Sequence, residues 1–357
     1  MLFTYTYVPH RMEKMQEFID FIFFEVWCDA PSGGEFQFDL FNANPELKEL
    51  MEALYYGDTK GGDFFYSHVE RIYNLFASLS QPQIDQLTLW YQANNDIEKI
   101  CSNDPDTHIA RYKDVLATFP ALGKQLASFF RGLYDHSLLN LVAVKEQTDG
   151  IESHNQAFFT INTIGKCPFC GINDLKGIHH TRREAYDHYL PKYRYPFNSI
   201  NFRNLAPACH ECNSTYKLSK DPAYNSAGRR KAFYPYATGA HSIEITIDLA
   251  STDIDHLLPT DIQLTLGPAE VHEEIETWKE VYGIDERYKA KCCSNSDGKY
   301  WLTQVFDEWQ EDGRLPANYL KTLSRQTAQN HVADCNFLKK AFLEGCERAG
   351  LFSHTTE

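Results

Sequence analysis

The stretch FRNLAPACHECNSTYKLSK, residues 202–220, decides how the middle of this chain folds. Two residues separate Cys209 from Cys212, and a CxxC turn aims two sulfurs at one point. Upstream, CPFCG supplies a second such pair, Cys167 and Cys170. Tetrahedral zinc takes four thiolates, so the two pairs together predict a structural zinc site. A redox role for one CxxC would leave the other pair unexplained. The ion would tie together the ends of residues 171–208, a loop-rich segment with little core of its own. Structural zinc contributes on the order of 10 kcal/mol to folding modules of this kind.

Inside the clamped segment lies EAYDHYLPKYRYP, residues 184–196, with Asp187 beside His188. An isolated acid next to a histidine carries little information, so the surroundings matter. A helix beginning near His210 would place Asn213, Lys217 and Lys220 on one face, at i, i+4 and i+7. That face offers a neutral oxygen ligand and two cations. Asn204 precedes the second cysteine pair. His179 and His180 are expected on a first strand, and His210 stands as a spare ligand beside four adequate thiolates. Tyr186, Tyr189, Tyr193 and Tyr195 are candidates for packing or for stacking on bases.

The order CPFCG, DHYLPK, NL and then CxxCN followed by a lysine resembles the HNH endonucleases, over about residues 165–235, a fifth of the chain. The resemblance implies a ββα-metal finger of the zinc-clamped kind. It implies His188 as general base and Asp187 and Asn213 as ligands of a catalytic divalent cation, Mg²⁺ or Mn²⁺. Asn204 would hold the histidine in position. Asn213 stands where many members have histidine, and an amide oxygen suits a hard cation. Lys217, Lys220, Lys192, Arg194, Arg182 and Arg183 are the expected nucleic-acid contacts, with Lys217 placed by its spacing to hold the scissile phosphate. RRKAFYPYA, residues 229–237, is similar to bacterial HNH proteins. Some of these serve anti-phage defence systems such as Septu, which implies an ATPase partner. The alternative is a catalytically inert zinc module that binds nucleic acid or a protein.

Charge agrees with a local polyanion site. The whole chain of 357 residues has a formal net charge of −15. Residues 166–231 hold twelve Lys and Arg against five Asp and Glu, a balance of +7 that leaves −22 elsewhere. A chain-wide nucleic-acid track is thereby excluded, and a basic island is not.

The flanks read as an α+β protein in three parts: a helical region over 1–150, the finger over 151–235, and a mixed, regulatory or partner-binding region over 236–357. Asn44 and Pro45 open a helix whose apolar face is Leu47, Leu50, Met51 and Leu54. SHVERIYNLFASL and ALGKQLASFFRGL repeat that pattern, with APSGGEF and GDTKGGDF expected as loops. Ile243, Ile245 and Ile247 alternate, as do Ile262, Leu264 and Leu266, which predicts two strands. A helix follows, ended by Gly283, and a last one is expected within residues 331–350. The apolar run FIDFIFFEVW carries Asp20 and Glu25 and is too short for a bilayer. MLFTYTYVPH lacks a secretory pattern, so a cytoplasmic protein is expected. In a reducing compartment the other six cysteines are ordinary small apolar residues.

Overall fold

FIDFIFFEVW is apolar because it forms the centre of a helical core. Helix α1 (Lys14–Phe21) runs into a π-helical turn (Ile22–Trp27), and Phe18, Ile19, Ile22, Phe23, Val26 and Trp27 are buried. The Trp27 indole N–H donates to the Val69 carbonyl at 3.0 Å, so burial leaves no orphaned donor there. The structure is a computed structural model that describes residues 1–134, 136–239 and 241–353.

Helix α2 (Pro45–Tyr56) starts as its sequence predicts. The Asn44 side chain accepts from the Leu47 N–H at 3.1 Å, and the four apolar residues of its face are buried. Helix α3 (Lys60–Phe76) begins earlier than expected, because KGGDF is helical rather than looped. Thr59 caps it by accepting from the Gly62 N–H at 3.1 Å. A Cβ at Gly62 would lie 2.4 Å from the Leu54 carbonyl oxygen, so glycine here lets α2 and α3 approach closely. APSGGEF likewise opens with a short helical turn, Ala30–Gly33. Helices α4 (Gln81–Asn95), α5 (Tyr112–Thr118), α6 (Pro120–Gly132) and α7 (Gly150–Ile161) follow, with shorter helical segments between them at Ile97–Cys101 and Val142–Thr148.

The finger is a short antiparallel ladder followed by a helix. Strand β1 (Tyr186–His188) pairs with β2 (Leu205–Pro207) in the register Asp187↔Ala206 and His188↔Leu205. His179 and His180 lie before the ladder in an exposed turn, not on the strand, since β2 offers pairing partners only from Tyr186 onward. The next helix (Glu211–Lys217) is π-wound rather than α, and the Leu218 N–H donates to the Asn213 carbonyl at 3.1 Å. It ends at Leu218, in the left-handed region with φ +50°. Lys220 therefore lies beyond the helix and does not share a helical face with Asn213 and Lys217. A two-residue hairpin, β3 (Tyr224–Asn225) and β4 (Gly228–Arg229), follows.

The expected strands β5 (Glu244–Leu249) and β6 (Ile262–Gly267) pair antiparallel. Helix α8 (His272–Tyr282) ends at Gly283 with φ +62°, where a Cβ would also lie 2.4 Å from the Tyr216 ring. Helices α9 (Ile284–Cys293), α10 (Gly298–Asp312), α11 (Pro316–Gln329) and α12 (Asn336–Arg348) follow, with α12 packed on β5.

The chain is thus α+β, and its described residues gather around two cores, with the finger contributing to both. Tyr186, Phe197, Ile200, Phe202 and Leu205 join the helical core. Phe169, Tyr189, Leu190, Tyr195 and Ala206 join the core shared with the C-terminal region. Strand alternation produces the split, since Leu205 and Ala206 point to opposite faces. Residues 1–5 cross over as well. The Leu2 N–H donates to Pro168 O at 2.9 Å, and the Tyr5 hydroxyl donates to Pro207 O at 2.8 Å. Among the described residues no helix is long and apolar enough to cross a membrane.

Candidate metal centre and Asp-His site

Each CxxC turn brings its own two sulfurs together, and the β1–β2 ladder brings the turns together. The Gly171 N–H closes the first turn onto Cys167 O at 2.7 Å, with Gly171 at φ +70°. The sulfurs of Cys167, Cys170, Cys209 and Cys212 all lie within 4.8 Å of one another, and all four residues are buried. The environment suits thiolates. The Cys209 N–H points at the Cys167 sulfur at 3.5 Å, and the Cys212 N–H at the Cys209 sulfur at 3.4 Å. Arg287 of α9 donates to the Cys212 sulfur at 3.2 Å while stacked over Tyr216. Four thiolates on one Zn²⁺ leave two negative charges, and amide donors with a guanidinium are what such a buried anion requires. The cluster can therefore hold a metal ion such as zinc. His210 stays at the surface beside Glu211.

The Asp-His pair sits at the other end of the ladder. Asp187 is 4% exposed, and its Oδ1 accepts from Lys217 Nζ at 2.9 Å. The same ammonium donates to the His188 carbonyl at 2.8 Å, and Lys217 is itself 1% exposed. This is a correction to the phosphate-holding role expected of Lys217, because its charge is committed to a buried carboxylate. The other oxygen, Asp187 Oδ2, is buried without a hydrogen-bond partner. Burial raises the Asp187 pKa, and the Lys217 charge opposes that rise.

His188 points to the opposite face of the strand, toward the helical region. Its Nε2 lies 2.9 Å from the Ser199 carbonyl, and its ring meets Tyr134 edge-on at 4.9 Å. A carbonyl only accepts, so Nε2 carries the proton and Nδ1 keeps its lone pair. Burial depresses the His188 pKa to about 3; Lys192 and Lys217 push the same way, and the Ser199 hydrogen bond opposes them. The imidazole is neutral at neutral pH.

Asn204 is fully buried and acts on backbone. Its Oδ1 accepts from the Leu190 N–H at 2.7 Å, and its Nδ2 donates to Leu190 O at 3.1 Å and Asn198 O at 3.3 Å. It thereby ties the segment leaving β1 to the loop whose next residue, Ser199, holds the His188 ring. Asn213 is half-buried in the first turn of the π-helix, one turn before Lys217, and no hydrogen bond engages its amide among the described residues. A carboxylate oxygen and an amide oxygen, both without partners, are chemically a donor set for a hard divalent cation.

The remaining expected contacts divide. Lys220 donates to the carbonyls of Glu280 and Val281 and so caps α8. Arg183 pairs with Glu152 of α7 at 3.2 Å. Arg182 is exposed in the turn before β1. Lys192 and Arg194 lie together on the loop after His188. Sequence reading missed Ser199, Arg287 and Tyr134, which meet the site only through tertiary packing. Compared with known proteins, the chain matches no family model, no curated protein and no solved structure.

Proposed function

We propose that this protein is an HNH-type, metal-dependent endonuclease that hydrolyses phosphodiester bonds in nucleic acid, DNA foremost. One observation carries the reading. Strand, strand and helix follow in order around a four-cysteine cluster, with a neutral His188 and an unpartnered Asp187 oxygen on the first strand. In this reading zinc occupies the cluster. His188 Nδ1 takes the proton from the attacking water while Ser199 holds the ring through Nε2. Asn204 acts as a positioning residue through Leu190 and Asn198. Mg²⁺ or Mn²⁺ on Asp187 and Asn213 would supply charge stabilisation at the phosphate. The acidic regions outside the finger bind a partner subunit, an ATPase in a defence setting, and the protein works in the cytoplasm.

A second reading has its own support. Lys217 already neutralises Asp187, and Asp187 and His188 face opposite sides of β1. A finger locked in this way would be a binding scaffold that cuts nothing.

Plasmid incubated with Mg²⁺ or Mn²⁺ separates the two. Cleavage lost in His188→Ala and Asp187→Asn, with zinc content preserved and both variants folded at the assay temperature, supports the nuclease. No cleavage by the wild type, or equal cleavage by both variants, leaves the scaffold.

A further inference from the structure

Unpaired cations stand out in a chain with a formal net charge of −15. Arg111, Arg131, Arg194 and Arg229 form no ion pair with a carboxylate among the described residues. They are also neighbours, arranged along the seam between the helical region and the finger. The Lys192 ammonium donates to Arg131 O at 3.2 Å, and Arg131 donates to Tyr193 O at 3.1 Å. The Arg131 guanidinium stands 4.5 Å over Tyr112, whose N–H donates to Arg194 O at 2.9 Å. Arg111 stands 4.0 Å over Tyr224, and Arg229 is the register partner of Tyr224 on β4. The row begins beside the candidate site: Lys192 Nζ lies 6.0 Å from the Tyr134 ring, which touches His188.

A second observation concerns how these side chains are held. Arg111 Nε, Arg131 Nε, Arg229 Nε and Arg229 Nη2 are buried and hydrogen-bonded to nothing, while each of the three arginines is only half-buried overall. Nearby carboxylates feel these charges without pairing directly: Asp221 lies within reach of the Arg194 and Arg111 charges and Asp104 of Arg229, but Asp221 accepts from the Tyr195 hydroxyl, Asp114 from the Arg111 backbone N–H and Asp104 from Thr107. Half-buried guanidinium groups without a carboxylate partner, in a row, fit successive phosphates. Tyr193, 63% exposed, adds an aromatic face at the start of the row. A base can stack on such a face only where it is not already stacked within a duplex.

We propose that this seam is a track for a single polynucleotide strand. Its phosphates lie along Arg131, Arg111 and Arg229, and a base stacks on Tyr193, on the loop that follows His188. The nuclease reading supplies the purpose of the track, but binding to it stands independently. Half the track belongs to the helical region, so that region, although acidic as a whole, takes part in substrate binding.

Fluorescence anisotropy in divalent-free buffer tests this, with labelled dT20, a 20-base-pair duplex, and polyphosphate as competitor. Arg111→Gln/Arg131→Gln/Arg229→Gln should weaken dT20 binding at least about tenfold and flatten the log–log salt slope by about two, since each single-strand contact contributes ~0.7. Tyr193→Leu should weaken dT20 by roughly tenfold without changing competition by polyphosphate. Lys321→Gln, on α11, should change nothing. Unaltered dT20 binding by the folded, zinc-loaded triple variant overturns the track. Tighter binding of duplex than of dT20 overturns the single-strand assignment. Equal effects of Tyr193→Leu on dT20 and polyphosphate overturn the stacking. Binding through the row without any cleavage removes only the nuclease reading, and cleavage by the triple variant at unchanged KM removes only the track.

Discussion

The two ends of the finger bury polar chemistry by different means. At the cysteine end, four identical ligands come from two short turns, and a single ion could satisfy them all. At the Asp-His end, the groups come from β1, the Ser199 loop, the π-helix and the segment after α6, and no single partner satisfies them. Lys217 takes one oxygen of Asp187, Ser199 takes one nitrogen of His188, and Tyr134 covers the ring. A metal cluster is encoded by spacing along the chain. A buried Asp-His pair is encoded by what packs around it.

If the cysteine end depends on the ion and the Asp-His end on packing, chelation should separate them. Cys209→Ser is expected to lose zinc and with it most of an ion contribution on the order of 10 kcal/mol. Hydrogen exchange should then show residues 165–235 opening while α2 and α3 stay protected. Asp187→Asn should keep stoichiometric zinc by elemental analysis. Zinc loss without any loss of protection in the finger would erase the contrast.

The next largest effect belongs to the buried ion pair. Lys217→Met strands the Asp187 carboxylate and should cost about 3–5 kcal/mol in urea unfolding, as removal of one buried partner does. The double variant Lys217→Met/Asp187→Asn should recover much of that loss. Strict additivity would show that the pair is not a coupled unit.

Asn204→Ala removes four hydrogen bonds inside the fold and should cost roughly 2–3 kcal/mol, leaving the Leu190 N–H unpaired. Zinc content should remain full, which separates this defect from one at the cysteine end. If cleavage occurs, its rate should fall because the Ser199 carbonyl no longer holds the His188 ring.

The last effect is a pH dependence. Burial holds His154 at about 3, with the His10 charge adding to the depression, and His188 is also depressed to about 3. Both are neutral in the fold and protonate near 6.5 when unfolded. The unfolded state therefore binds more protons between these values, and stability falls as pH drops from 6.5 toward 3. The slope is about 1.4 kcal/mol per pH unit for a fully buried histidine such as His154. Thermal melts from pH 7 to 5 should show it, and His154→Gln should flatten the curve in part. A curve unchanged by that variant would show that other groups set the acid limb.

Much of the scaffold was legible. Asn44, Pro45 and the Leu47-Leu50-Met51-Leu54 face predict α2, alternating isoleucines predict β5 and β6, and Gly283 ends α8. These signals are local, carried by a cap, a period or a left-handed glycine. The misreadings share one cause. Gly61 and Gly62 read as a loop because the Leu54 carbonyl that demands a small residue lies on another helix. Lys217 and Lys220 read as one cationic face because a π-winding and a left-handed Leu218 depend on packing. Apart from these, the middle of the chain joins both cores because β2 sends neighbouring residues to opposite sides.

By itself, the sequence determined the α+β class, the helices with a clear cap or apolar face, the β5 and β6 strands, and which four sulfurs share one point, since spacing and periodicity survive any arrangement of the rest. Tertiary structure alone decided that His188 is neutral, that Asp187 is paired with Lys217, that Arg287 faces a thiolate, and that arginines of the acidic helical region line up beside the finger. Desolvation and Coulomb interactions act between spatial neighbours, and these neighbours lie tens of residues apart in the chain.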